Sequence, residues 1–129
     1  VEGTALERLR ALVVSSLTPP VVDPRSLALW AAFLNKVQHD AGMRETHAKT
    51  YLDFRNRLEA LIRAALEEAG KPAEDARLLQ LAIAGNALID GLWMEGGALP
   101  EAFAPGELSE IGLTSIGAII GLDLTGQGK

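Results

Sequence analysis

Asn86, Asp90 and Trp93 stand four and then three residues apart, so on a helix all three share one face. An amide, a carboxylate and an indole set side by side can hold a small molecule. The ring covers an apolar or cationic surface, and the polar groups fix its orientation. Trp30, Phe33, Tyr51, Phe54 and Phe103 are the other aromatic side chains. Rings at helical spacing serve as core, which fits Phe33 and Phe54; Trp30 and Trp93 are large enough to wall a cavity and cup a cation. The expected ligand-binding set is therefore Trp30, Phe33, Tyr51, Phe54, Asn86, Asp90 and Trp93. Asn86 and Asp90 each keep a structural reading as well, a hydrogen bond to a neighbouring helix or across a dimer seam, because a buried polar group must be answered. An ionised Asp90 facing the cavity would suit a quaternary ammonium such as choline. An Asp90 engaged by another helix would suit a neutral, flatter ligand.

Other chemistries lack their residues. There are no cysteines, hence no thiolate and no disulfide framework. No Gly-x-Ser-x-Gly surrounds a serine, and Gly126-Gln127-Gly128 belongs to a tail rather than to a strand-to-helix turn. His39 and His47 lie eight apart with no Glu-x-x-His pattern, so they read as surface histidines and no metal site is expected. Glu67 and Glu68 are adjacent, point to different sides of a helix and are expected to be solvated. The sequence predicts neither an enzyme nor a cofactor.

The elements that must position the site are helical. From Leu78 to Ile89 the chain runs without a charge, apolar on every face of the implied helix; that is too short to span a bilayer, so protein must cover it on more than one side. This helix, about Ala73 to Met94, is the fourth of five. The first opens at a Thr4-x-x-Glu7 capping box, carries Leu6, Leu9, Leu12, Val13 and Leu17, and stops at Pro19 and Pro20. The second starts at Asp23-Pro24 and holds Leu27, Leu29, Trp30, Phe33, Leu34 and Val37, a pattern that predicts a central position. The third, about Met43 to Ala69, buries Tyr51, Phe54, Leu58, Leu61, Ile62, Ala65 and Ala69, and its wet face offers Glu45–Lys49, Asp53–Arg57 and Glu59–Arg63 pairs. Gly96 to Gly106 reads as a loop. The fifth helix, Glu107 to about Leu122, is rich in Ile and Gly, and Gly117-x-x-x-Gly121 forms a strip where another helix can approach closely. The remaining residues to Lys129 are expected to form a frayed tail, from about 122 onward.

At 129 residues and 48% apolar content, the chain is expected to fold as a single domain, residues 1–129. The fold class is all-α, an antiparallel helical bundle of about five helices. Its net charge is −5, and between Arg77 and Lys129 there is no Lys or Arg, so this chain alone has no surface that tracks phosphates. Neither a signal peptide nor a lipidation motif is apparent, which suits a cytoplasmic protein with no membrane partner. The fourth and fifth helices carry more apolar surface than one small bundle can hide. A symmetric homodimer is expected through them, at Leu92, Ile116, Gly117, Ile120 and Gly121.

Three strings also resemble one family. LIDGLWM, Leu88 to Met94, is similar to a helix of the sensor domain in TetR-family transcriptional regulators of the BetI type. LALWAAFLNKV, Leu27 to Val37, resembles that family's W-x-x-F segment, with Trp30 and Phe33 in place, and RLEALIRAAL, Arg57 to Leu66, is a looser match. The three fall in the family's order and span roughly Leu6 to Leu99. The resemblance implies the C-terminal domain that binds an effector and dimerises, with DNA contacted only through an N-terminal helix-turn-helix domain that is not in this sequence. The small apolar or cationic effector would shift the balance between two arrangements of the bundle. The rival reading is a helical protein–protein interaction module that grips a partner helix and binds no small molecule.

Overall fold

The computed structural model describes residues 3–19 and 22–126. Those residues form five α-helices and no strand: α1 (Ala5–Ser16), α2 (Pro24–Val37), α3 (Ala41–Glu68), α4 (Asp75–Ala98) and α5 (Glu107–Ile120), with a short 3-10 turn at Pro100–Ala102. Helices α3 and α4 run antiparallel, as do α4 and α5, which follows from their residue pairs. Arg63 meets Asp75 while Leu58 lies by Gly85 across α3 and α4; Leu108 lies by Gly96 while Leu92 lies by Gly112 across α5 and α4. Helices α3 and α4 form the central pair, α1 packs on α3 and α5, and α2 lies over α4 and α3.

Local chemistry sets the helix ends. At Thr4 the capping box is complete: its hydroxyl accepts from the Glu7 N–H at 3.1 Å, and the Glu7 carboxylate accepts from the Thr4 N–H at 3.0 Å. Pro19 lies beyond the end of α1, while the matching stop at Pro20 falls outside the described residues. Asp40 caps α3 by accepting from the Met43 N–H at 3.1 Å, so the helix begins two residues earlier than its apolar pattern suggests. Glu68, expected in solvent, instead accepts from the Ala5 N–H with both oxygens at 3.0 Å and ties the end of α3 to the start of α1.

The core is built from Leu9, Val13, Leu58, Ile62, Leu78 and Ile116, each almost wholly removed from water. Two expectations change here. Helix α2 is peripheral: Val37 is its buried residue, and Leu29 is 67% exposed. Its apolar residues on more than one face therefore do not signal a central helix. The expected tail folds back as far as residue 126. Leu124 is 1% exposed and its carbonyl accepts from Arg10 Nε at 3.1 Å. Residues 127–129 of that tail lie outside the described residues.

Helix α4 also runs past Met94, through Gly96 and Gly97 to Ala98. Both glycines are buried. A Cβ on Gly96 would collide with Leu108 Cδ1 and would lie 2.5 Å from Val22 Cγ1; one on Gly97 would lie 3.0 Å from Leu27 Cβ. The glycines thus admit α5 and the start of α2 against α4, and this packing carries the helix where propensity would end it.

Candidate ligand-binding site

Because α2 lies across the ends of α3 and α4, its inner edge meets theirs in a cluster of rings. Trp30 stacks on Phe33 with centroids 5.6 Å apart, meets Trp93 edge-on at 6.4 Å, and lies 5.1 Å from His47. Phe33 completes the group, edge-on to His47 at 5.6 Å. Such geometries are the favourable ones for aromatic pairs. His47, expected on the surface, is half-buried within this cluster.

Beside the rings opens a groove of about 640 Å³. Trp30 and Trp93 wall one end, with Phe54 of α3 and Ile89 of α4 as further apolar lining. Asp90 stands next to Trp93, and Arg57 enters from α3. The α1 side offers Leu12 and two serines, Ser15 and Ser16, whose hydroxyls donate to the Leu12 carbonyl at 3.1 and 2.7 Å. Those donors are occupied, so the serine oxygens face the groove as acceptors. The size lies within the usual range for small-molecule sites, as does the mixture of apolar walls with few polar groups. Another hollow, about 480 Å³ between α1 and α5, has no ring in its lining, and its Arg10 is already bonded to Leu124.

Asp90 is reachable by solvent, yet partial burial raises its carboxyl above the ordinary value, while His47 pulls in the opposite direction. The low-polarity surroundings therefore outweigh the histidine, and the charged form of Asp90 is disfavoured there.

Of the seven residues expected to bind ligand, Trp30, Phe54, Asp90 and Trp93 line the groove, and Phe33 supports Trp30 from behind. Tyr51 does not line it; its ring carries the Arg55 guanidinium 5.7 Å from the centroid. Asn86 belongs to the core at 2% exposure, with no hydrogen-bond partner for Nδ2 among the described residues. His47 and Arg57 were missed. A lone histidine has no spacing signal, and Arg57 read as one half of an ion pair with Asp53. In the structure Asp53 instead accepts from Lys49 at 2.8 Å.

The dimer residues expected from sequence are placed as follows. Ile116, Gly117 and Ile120 are buried inside this subunit, and Leu92 packs against its core. The Gly117 carbonyl accepts from the Gly121 and Leu122 N–H groups at 2.8 and 3.0 Å, and a Cβ on Gly117 would lie 2.5 Å from the Leu122 oxygen. Gly121, with φ +80°, ends α5 in the left-handed region. The glycine strip therefore serves the turn that follows α5 within one chain, and the helix faces left for a partner are the outer ones.

Among the described residues no helix is long and apolar enough to cross a membrane, and no group of three potential ligands is placed to hold a metal. No curated protein and no solved structure matches the chain. The sequence pattern of the BetI-type transcriptional repressor C-terminal domain, a TetR-type regulatory domain, matches residues 5–121. That span runs from the first residue of α1 to the glycine that ends α5, so it takes in every helix that builds the groove, and the chain belongs to the family of BetI-type transcriptional repressor C-terminal domains.

Proposed function

We propose that this regulatory domain binds a small effector in the groove against Trp30 and Trp93, and dimerises through the outer faces of α4 and α5. The observation that carries the effector reading is the groove itself: indole walls with one carboxylate beside them, in a repressor's C-terminal domain. Occupation would bridge α2 to α3 and α4. Helix α2 is peripheral, and a ligand with different affinity for two placements of it would shift their populations. In a repressor, that shift is the signal sent to the DNA-binding domain.

The dimer reading rests on exposed apolar residues. On α4, Leu79, Ile83, Ala87, Gly91 and Met94 follow at three- and four-residue spacing along the outside, and Ile111 and Ala118 are exposed on the adjacent α5. An uncharged stripe on two antiparallel neighbours is suited to a self-complementary four-helix seam. The test of the effector reading is tryptophan fluorescence during titration with octanol or octyltrimethylammonium. A saturable change in the unmodified chain, lost in Trp93→Ala, is expected. An unsaturable response, or one unchanged in Trp93→Ala, contradicts it.

A further inference from the structure

The groove does not end at Arg57. A second hollow of about 440 Å³ continues from it between α1 and α3, sharing Leu12, Ser15 and Arg57 with the first and adding Arg8. Two arginines therefore face one trough in a chain of net charge −5. Neither has a carboxylate partner among the described residues. Asp53 is taken by Lys49, and Glu59 and Asp75 lie against Arg63 at 3.9 and 2.8 Å. Asp90 lies in the same groove but forms no ion pair with Arg57. The trough thus has an aromatic end at Trp30 and Trp93 and a basic end at Arg57 and Arg8.

Building on the effector reading above, we infer that the effector carries a carboxylate, received by Arg57 with Arg8 behind it, while its apolar body lies along Phe54 toward the two indoles. A guanidinium presents a planar fork of donors that matches a carboxylate, and charge-assisted bonds of this kind are stronger than neutral ones. The serine oxygens along the trough, being acceptors, leave the arginines as the groups that select the anion.

The experiment compares octanoate, octanol and octyltrimethylammonium by calorimetry on the whole chain, in the unmodified form and in Arg57→Gln, Arg57→Lys and Arg8→Gln. Octanoate is expected to bind about tenfold more tightly than octanol, a preference worth ~1.4 kcal/mol, and to lose it in Arg57→Gln. Arg57→Lys should restore part of the preference, and added salt should weaken it in the unmodified chain. Octanol, which has no carboxylate for Arg57 to receive, should lose less affinity than octanoate in each Arg57 variant. Equal affinity for octanoate and octanol, or tightest binding of the ammonium, overturns the carboxylate assignment and leaves the groove reading standing. No binding of any of the three contradicts both.

Discussion

Asp90 sits at a point of the groove where burial disfavours its charge, and this gives it a measurable signature. Its carboxyl is raised in the folded protein, chiefly by burial, so the stability tied to it is fully present below the ordinary carboxylate range, around pH ~4, and is lost as pH rises through the raised value. Asp90→Asn removes that loss. The variant should melt higher than the unmodified chain at pH 7, and the gap should close as the pH falls toward 4; a gap that widens on acidification would contradict the assignment. Trp30, Asp90 and Trp93 were legible in the sequence because ring size and helical spacing are local properties. Arg57 and His47 were not, because their environment depends on which carboxylate Lys49 takes and on where α2 comes to rest. Asn86 shares the Asp90 face in spacing yet lies buried. Asn86 lies one turn before Asp90, and within that turn the face passes from the core to the groove.

At the scale of the element, the helices themselves follow from caps and apolar periodicity, and the departures occur where a tertiary contact overrides a local signal. Gly96 and Gly97 suggest a loop by composition, yet they lie within α4 because Leu108, Val22 and Leu27 need the space above them. Gly96→Ala should therefore destabilise the domain by about 1–3 kcal/mol, the usual range for overpacking, read as a lower denaturant midpoint. Gly42→Ala, at an exposed position in the first turn of α3 where a Cβ would meet only Asp40 Oδ1 at 3.4 Å, is the internal control and should be neutral or stabilising. Equal effects at the two positions would show that close packing is not what holds the end of α4. Helix α2 is the opposite lesson. Its apolar residues on several faces cannot say which face is covered, and the structure leaves Leu29 in water while directing Trp30 and Phe33 inward.

For the whole molecule, the uncharged outer stripe of α4 and α5 bears on assembly. Ile83→Glu places a charge in the middle of that stripe and should convert a dimer to a monomer in sedimentation experiments without altering the helical content. A dimer that survives Ile83→Glu and Met94→Glu unchanged would place the seam elsewhere. Sequence reasoning points to α4 and α5 because both are nearly uncharged, but it puts the seam on Ile116, Gly117 and Ile120, which complete the subunit's own core. The side of a helix that faces a partner is fixed only after the other helices of the subunit have taken theirs.

The effector site can be tested in one measurement because the chain has two tryptophans, Trp30 and Trp93, and both line the groove. Their indole N–H resonances in a nitrogen-15 correlation spectrum are separate reporters on the same hollow, one on α2 and one on α4. During titration with octanoate, both indole signals should shift together along one saturable curve, and neither should do so in Trp93→Ala, where the remaining Trp30 signal should stay still. Indole signals that do not move while other resonances of the folded chain do would mean that this groove is not where the molecule is sensed.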